Sequence, residues 1–420
     1  MPIKTKPTAA IEHYLERYAE PEARAITAHI PKEIIVQRIA QQENNDNTNA
    51  PHGYQHCLII PAYNEQSDFV TRLANSEDSP VTDLEPTLLI VVINQPEHDD
   101  DTSRNQQLWD SIRQQGRILA QHDTFLWLRH TQNTSIDIIL VQRFDKKIPS
   151  KQGVGLARKI GCDIACQMIK EGLLHSLWLH TTDADTHLPS TYFTSINTHT
   201  NNNPIENNTG ISAFIYPYQH KNNNDTSLLN ATQYYEQALT YYVDGLRHAR
   251  SPYAYHTLGS CIASNAIYYC QARGFPKKSG GEDFYLLNKL TKLGNIIQLE
   301  KPVLMIDARL SERVPFGTGP AVQKILAMAS PETEYYYYHP SCFTSLKQLL
   351  QNFLTIFSYK TKNRKDFSHY EPWLKKLDPE LQNAIKKIKI EKLFRISTSK
   401  YRHKSNACVT ATIGLTRLKH

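Results

Sequence analysis

Short runs of consecutive apolar residues recur along the first half of the chain, and a polar cluster follows each of them. The runs are HCLII (56–60), TLLIVVI (87–93), SIDIILVQRF (135–144) and LWLHTTD (177–183). Runs of this length are typical of buried strands, and a proline after the first predicts its end. QQLWDSIRQQGRILAQ (106–121) and GVGLARKIGCDIACQMIKEG (153–172) show helical spacing instead. The alternation predicts an α/β fold, with a mainly parallel central sheet flanked by helices.

Changes in composition divide the chain into three predicted parts. Residues 1–50 form a helical lead-in that ends in the polar stretch QENNDNTNAP. Residues 51–325 contain the alternating strands and helices, and two Asn-rich stretches (199–210 and 220–227) are predicted to be surface loops. Residues 326–420 form a mostly helical C-terminal extension, because apolar residues follow helical spacing from position 343 onward.

Charge separates the last part from the rest. Residues 341–420 hold 17 Lys and Arg against 5 Asp and Glu, whereas the whole chain has a net charge of only +6. No apolar stretch is long enough to span a bilayer and no secretory signal is visible, so we expect a cytoplasmic protein. The basic tail suggests peripheral contact with the inner face of an anionic membrane, with a solvated basic face as the alternative. It lacks interleaved aromatic residues, so we expect no nucleic-acid partner.

Four strand ends carry the polar clusters that could do chemistry. They are PAYNE (61–65), NQPEHDDD (94–101), FDKK (144–147) and TTDADTH (181–187). In parallel α/β sheets ligands bind at the carboxyl ends of the strands. We therefore expect the four clusters to lie along one edge of the sheet.

Two carboxylates one residue apart, Asp183 and Asp185, follow the fourth run. With the small Ala184 between them both could face a divalent cation, and Mg²⁺ or Mn²⁺ prefers such oxygen ligands. A turn that caps a helix near Pro189 is the alternative. Asp99 and Asp101 repeat the spacing, but they lie in a longer polar loop.

A second acidic pair, Glu282 and Asp283, stands in GGEDF (280–284). A carboxylate on a glycine-hinged loop could act as a general base toward an acceptor hydroxyl. The pair could equally cap the helix that FYLLNKL predicts.

In this order, LIIPAYNE, TTDADTHLP and GGEDFYLLNKL resemble the motifs of family-two glycosyltransferases, which have the nucleotide-sugar-binding A-type (GT-A) fold. HTLGSCIASNAIYYCQARGF also looks like the acceptor-side segment of that family, and the resemblance covers roughly residues 55–320. It implies a glycosyltransferase that moves one sugar from a nucleotide-diphosphate donor to an acceptor hydroxyl, with inversion. The acceptor would be a carbohydrate or a lipid-linked molecule, as in the assembly of a cell-envelope polysaccharide.

The resemblance also implies roles for individual residues. Asp183 and Asp185 would hold Mg²⁺ or Mn²⁺ on the diphosphate, and Asp283 would be the general base, with Glu282 beside it in acceptor binding. The nucleotide would lie against Pro61, Ala62, Tyr63, Asn64 and Glu65.

The chain departs from the family at two points. The second strand ends in Asn94, Gln95 and Pro96 where the family has aspartates, so Asn94 is the candidate that would face the nucleotide. The Gln-x-x-Arg-Trp signature of processive synthases is absent, which favours transfer of a single sugar.

Basic residues in two further segments are candidates for contact with the diphosphate. Lys151 and Arg158 flank a glycine-containing turn that enters a helix, and Arg309 and Arg313 lie in a glycine-containing loop that could close over the nucleotide. A solvated surface is the alternative for both. For the whole chain, the alternatives are a nucleotidyltransferase of related fold and a non-catalytic relative that binds nucleotide sugars.

Overall fold

The structure is a computed structural model that describes residues 7–34, 53–82, 85–200, 210–221, 225–310, 317–362, 372, 374–377 and 379–387. The predicted polar stretch at 42–51, parts of both Asn-rich stretches and the end of the basic tail lie outside these residues.

The strands of the described residues form two sheets. In chain order they are β1 (His56–Ala62), β2 (Thr87–Pro96), β3 (Gly116–His122), β4 (Phe125–His130), β5 (Ile136–Ile148), β6 (Trp178–Thr181), β7 (Thr186–His187), β8 (Ile211–Ile215), β9 (Tyr218–Lys221), β10 (Ile262–Asn265), β11 (Asn295–Gln298) and β12 (Leu304–Asp307). The large sheet has nine strands in the order β11-β8-β10-β6-β1-β2-β5-β4-β3, and the small one has the order β7-β12-β9.

The large sheet is mixed, so the prediction of a mainly parallel sheet was wrong. Its centre, β6-β1-β2-β5, is parallel as expected. However, β10 is antiparallel to both of its neighbours, and β4 is antiparallel to both β5 and β3. An apolar run reveals that a strand is buried but not which way it runs, and several of these strands are short.

The helices are α1 (Pro7–Arg17), α2 (Pro21–Thr27), α3 (Asp68–Asn75), α4 (Ser103–Gln114), α5 (Gly153–Lys170), α6 (Thr226–His248), α7 (Ala266–Gln271), α8 (Glu282–Leu290), α9 (Thr318–Leu326), α10 (Pro340–Lys362) and α11 (Pro379–Lys387), with short helical turns at Asn197–Thr200 and Pro331–Glu334. The helix predicted over 106–121 is wrong in its second half, where α4 ends and β3 begins. β1 continues through Pro61 and Ala62, and β5 continues through the predicted FDKK cluster to Ile148.

Helices cover both faces of the parallel centre. Leu58 and Ile60 of β1 belong to the core cluster that includes Phe69 and Val70 of α3, whereas α5 packs on the opposite face of β1 and β2. At Gly161 of α5 the side chain of Ile59 occupies the space that a Cβ would need. Helices α1 and α2 pack in turn on α5. This arrangement is an α/β fold with a three-layered centre.

The chain separates into two compact units. The first comprises residues 1–235 and 257–328, and the second comprises residues 236–256 and 329–420. The first unit contains both sheets, and the second contains the C-terminal part of α6, α10 and α11. None of the described helices combines the length and the apolar composition needed to cross a membrane.

Candidate active site

The four polar clusters lie along one edge of the sheet, as predicted. Lys147 of β5 forms an ion pair with Asp100 in the loop after β2. In the same loop, Asp99 accepts a hydrogen bond from the hydroxyl of Tyr63, which follows β1. Arg309, described below, connects the end of β1 to the segment after β6. The shared edge follows from the parallel order β6-β1-β2-β5.

The turn after β1 holds the PAYNE residues in a fixed conformation. Asn64 has a positive φ of 55°, a conformation that asparagine tolerates better than most residues. Its backbone N–H donates to the side-chain oxygen of Asn105 at 2.9 Å. The turn therefore directs Tyr63 toward the loop after β2 and Glu65 toward the segment after β6.

The end of β2 uses its polar side chains to fold its own loop. The side-chain amide of Gln95 donates to the carbonyl oxygens of Asp99 (2.9 Å) and Asp101 (3.1 Å). Asp101 in turn accepts a hydrogen bond from the backbone N–H of Ser103 at the start of α4. The second Asp-x-Asp copy is thus occupied with loop and helix contacts. Asn94 is 7% exposed and its carbonyl accepts from Asn105.

The segment after β6 turns tightly between its two aspartates. The backbone N–H of Thr186 donates to the carbonyl of Asp183 at 3.1 Å, and the N–H of Asp307 in β12 donates to the carbonyl of Asp185 at 3.0 Å. From α3, the Nη2 of Arg72 donates to the carbonyl of Ala184 at 2.6 Å. The backbone of the turn is therefore held from two sides.

Arg158 of α5 connects the first aspartate to the Glu-Asp pair. Its Nη2 lies 2.6 Å from Asp183 Oδ1, and its Nε lies 3.2 Å from Glu282 Oε1. The residue is 3% exposed, and its guanidinium occupies the space that a Cβ on Gly259 would need, 2.5 Å from Cζ. Arg158 thus joins two motifs that are 99 residues apart in the sequence, from a buried position.

The Glu-Asp pair opens α8 after a left-handed glycine, Gly281 (φ 68°). Burial raises the pKa of Glu282 to about 8; the neighbouring Asp283 adds to the rise, and Arg158 opposes it. Burial also raises the pKa of Asp283, and one of its oxygens accepts the N–H of Phe284 at 2.6 Å. Two adjacent carboxyls that resist ionisation together can hold a proton near neutral pH.

Arg309 makes the second bridge. Its two terminal nitrogens donate to both oxygens of Glu65 at 2.7 Å, and its Nε lies 2.7 Å from Asp185 Oδ2. Burial alone would lower the pKa of Arg309, but the hydrogen bonds with Glu65 and the charge of Asp185 raise it instead. The motif after β1 and the motif after β6 are therefore joined by one guanidinium.

Sequence reasoning missed a third group of side chains beside the turn. His187 Nε2 lies 3.1 Å from both oxygens of Asp307, and Lys221 Nζ lies 3.4 Å from Asp307 Oδ1. These residues belong to the three short strands of the small sheet, and Arg309 lies two residues after the end of β12. The apolar run VLMI before Asp307 has the same form as the runs before the other clusters, and it could have indicated this strand end.

A pocket of about 120 Å³ lies on the α3 side of the turn. Asp183, Arg72 and His187 contribute to its lining, together with Thr182 and Thr186. The hydroxyls of both threonines are buried and have no hydrogen-bond partner among the described residues. Two buried, unbonded hydroxyls therefore belong to residues in the wall of the pocket, next to the first aspartate.

The remaining predicted residues are placed differently. Lys151 is exposed, and it makes no ion pair with any described residue. Pro61 and Ala62 are buried inside β1 and do not follow it. Arg313, the second predicted arginine of the closing loop, lies outside the described residues.

The oxygen atoms that this site offers as metal ligands fit a hard divalent cation only in part. Asp183 and Asp185 offer carboxylate oxygens at the ligand edge, but each also has an arginine partner. Within the described residues, no three His, Cys, Asp or Glu side chains are placed to hold a metal ion. Mg²⁺ and Mn²⁺ commonly take only one or two carboxylates and complete their shell with water and substrate phosphates. Asp183 and Asp185 supply the number of carboxylates that a site of that kind uses.

No protein-family model matches the chain, and no curated protein matches it. Among solved structures, it is similar to S. aureus TarS 1-349 in complex with UDP-GlcNAc (TM-score 0.36, 11% identity, covering 87% of this chain and 92% of that one). It is also similar to the mannosyltransferase PcManGT from Pyrobaculum calidifontis in complex with GDP-Man and Mn²⁺ (0.36, 13%, 95% and 99%). A third is GalNAc-T7 with UDP, GalNAc and Mn²⁺ (0.33, 11%, 72% and 55%). At these identities and TM-scores the likenesses support no conclusion about this chain.

Proposed function

We propose that this chain is a metal-dependent glycosyltransferase that moves one sugar from a nucleotide-diphosphate donor to an acceptor hydroxyl, with inversion and without processive synthesis. The observation that carries the proposal is the pair of arginine bridges. Through Arg158 and Arg309, the three motifs singled out in the sequence meet in one site.

In the proposal, Asp183 and Asp185 hold Mg²⁺ or Mn²⁺ together with the donor diphosphate. The cation supplies neutralisation of the charge that develops on the leaving diphosphate. Arg309 is 34% exposed in its side chain and already bonds Asp185. We assign it to the diphosphate end of the donor, because a guanidinium matches phosphate oxygens well. We assign Tyr63 and Asn94, at the ends of β1 and β2, to contact with the nucleoside.

Asp283 is the proposed base. It accepts the proton of the acceptor hydroxyl while that oxygen forms a bond to the anomeric carbon and the bond to the diphosphate breaks. Glu282, predicted to take part in acceptor binding, is 4% exposed. We therefore place its contribution in orienting Arg158 and in raising the proton affinity of Asp283.

Neither alternative gains support from a specific feature of the site. Nucleotidyltransferases usually carry a Gly-rich loop with an arginine after the first strand, and this chain has PAYNE there. A non-catalytic relative would not need two neighbouring carboxyls with raised pKa values beside the aspartate turn. Contact of the basic tail with an anionic membrane remains a hypothesis, which liposome sedimentation would refute if no salt-sensitive binding appeared.

A thermal-shift screen of UDP-, GDP- and dTDP-sugars with and without Mn²⁺ tests the proposal. We expect at least one donor to raise the melting temperature only when Mn²⁺ is present. Asp185→Asn should abolish that shift. Asp110→Asn, at a half-buried position of α4 where the side chain bonds only Gln106 among the described residues, is the matched control that should retain it. If no donor gives a metal-dependent shift, the proposal is wrong.

A further inference from the structure

A buried pair of charged residues that the proposed reaction does not use lies on α5, next to Arg158. Lys159 and Asp163 are 4% and 0% exposed, and Lys159 Nζ lies 2.7 Å from Asp163 Oδ2. Buried charges are tolerated only where further hydrogen bonds satisfy them. Because Arg158 and Lys159 are consecutive on one helix, contacts that fix Lys159 also fix the place from which Arg158 reaches the Glu-Asp pair.

The joint between α1 and α2 supplies those hydrogen bonds. Lys159 Nζ donates to the hydroxyl of Tyr14 at 2.6 Å and to the carbonyl of Tyr18 at 2.9 Å. Asp163 accepts hydrogen bonds from the Tyr14 hydroxyl at 2.6 Å and from the backbone N–H of Glu20 at 2.8 Å. We call α1, α2 and their joint the N-terminal helix pair. It is therefore bound to α5 through buried polar contacts.

The same joint contacts the loop between α7 and α8, which leads to the Glu-Asp pair. Lys277 Nζ lies 2.7 Å from Glu20 Oε1. The guanidinium of Arg273 lies over the ring of Tyr18, 4.9 Å from its centroid. The N-terminal helix pair thus contacts both the helix that carries Arg158 and the loop that ends at its partner.

This loop begins with two consecutive residues in the left-handed conformation, Arg273 (φ 62°) and Gly274 (φ 69°). An arginine adopts this conformation at an energetic cost, so it persists only where surrounding contacts hold it. The ring of Tyr18 provides one such contact for Arg273. The hydroxyl of Tyr14 occupies the space that a Cβ on Gly274 would need. The path of the loop as it leaves α7 therefore depends on the N-terminal helix pair.

We propose that the N-terminal helix pair holds the loop at 272–281 and thereby positions the Glu-Asp pair relative to Arg158. Tyr18 and Glu20 are positioning residues, because they contact the loop and not the site. That the loop positions Asp283 for proton removal rests on the proposed function. A displacement of about 1 Å at a reacting group can lower a rate about a hundredfold, so a released loop should lower turnover more than donor binding.

The double variant Tyr18→Ala/Lys277→Met removes both side-chain contacts with the joint. Tyr18 bonds Lys159 only through its backbone carbonyl, so the buried charges of α5 keep their hydrogen bonds in this variant. Tyr18→Phe/Lys277→Arg retains a ring and a cation at these positions and is the conservative variant. Tyr336→Ala/Lys324→Met, at exposed positions outside the loop and the N-terminal helix pair, is the matched control.

Hydrogen exchange of the full-length protein, without donor or metal, measures the loop directly. We expect residues 272–290 to exchange about tenfold faster in the double variant, because a cation–π contact and an ion pair with the loop are lost. Residues 178–190, which contain the aspartate turn, should exchange at the wild-type rate. The conservative variant and the control should stay within about threefold of the wild type in both segments.

Donor binding and turnover then separate positioning from binding. With the donor found by thermal shift, the double variant should keep the wild-type, Mn²⁺-dependent shift in melting temperature. Its release of nucleoside diphosphate should fall at least about tenfold, and the conservative variant should restore release to within about threefold of the wild type.

The proposal is overturned if the exchange of residues 272–290 is unchanged in the double variant or if both segments become faster together. It is also overturned if the loop alone exchanges faster but release stays at the wild-type level. A wild type that binds no donor would refute the proposed function, and the exchange measurement would then decide by itself whether the N-terminal helix pair holds the loop.

Discussion

Replacing Glu282 with glutamine should make the protein less sensitive to alkaline pH. In the folded state the pKa of Glu282 is raised to about 8, whereas the ordinary value is 4.5. The folded protein therefore keeps a proton on Glu282 that the unfolded chain releases above pH 4.5. The stabilising effect of this proton is complete below pH 4.5, and it is lost as the pH rises toward 8.

The magnitude follows from the size of the shift. Each pH unit between the two pKa values costs about 1.4 kcal/mol of unfolding free energy. Between pH 5 and pH 8 the wild type should therefore lose roughly 3 kcal/mol through this group. Glu282→Gln cannot ionise, so it should have nearly wild-type stability at pH 5 and exceed the wild type by roughly that amount at pH 8.

Urea unfolding at pH 5, 6, 7 and 8 measures this difference. The fluorescence of Trp127 and Trp178, both buried in the first unit, follows the transition. Glu77→Gln, at an exposed carboxyl, is the matched control and should follow the wild type at every pH. If Glu282→Gln is less stable than the wild type by an amount that grows with pH, Glu282 is ionised and paired with Arg158, and the reasoning is refuted.

Three further substitutions test contacts that build the site. Arg158→Met leaves the Asp183 carboxylate and the Glu282 carboxyl group without their buried guanidinium and should lower the unfolding free energy by about 3–5 kcal/mol in urea. A loss below about 1 kcal/mol would contradict the bridge. Gly155→Ala places a Cβ 2.6 Å from the carbonyl oxygen of Lys278, so the segment that leads to Glu282 must move. We expect the free energy of unfolding to fall by about 1–3 kcal/mol. An unchanged melting temperature would show that this segment is not held by α5. Arg72→Lys replaces the guanidinium that donates to the carbonyl of Ala184 with an ammonium group that cannot reproduce this hydrogen bond. We expect metal-dependent donor binding to weaken at least about fivefold and stability to fall by about 1 kcal/mol. Equal donor binding by the variant and the wild type would show that Arg72 does not position the aspartate turn.

Apolar runs and their polar ends predicted the centre of the sheet and the edge at which the motifs meet. That prediction worked because a parallel sheet places successive strand ends on one side, so the pattern along the chain maps directly onto space. Asp183 and Asp185 were preferred over Asp99 and Asp101 because Asp183 follows its apolar run without a break, whereas Asp99 and Asp101 lie in a longer polar loop. The structure gives Asp99 and Asp101 loop and capping contacts.

Contacts made by residues far apart in the chain could not be predicted in the same way. Arg158 and Arg309 were singled out, but nothing local indicates that the first reaches Glu282 or that the second reaches Glu65, 244 residues away. The hairpin β3–β4 was missed because GRILAQ continues the helical spacing of α4. Gly116 was the available signal, since glycine commonly follows the end of a helix, and a Cβ there would lie 2.8 Å from the Cβ of Leu128.

The central claim is that one site holds the donor through the aspartate turn and removes the proton through Asp283. Release of nucleoside diphosphate from the donor identified by thermal shift, measured with Mn²⁺ and an acceptor, tests it most directly. We predict that Asp185→Asn loses both metal-dependent donor binding and release, whereas Asp283→Asn binds the donor as the wild type does but loses release at least about a hundredfold. Undiminished release by Asp283→Asn, or undiminished donor binding by Asp185→Asn, would contradict the account.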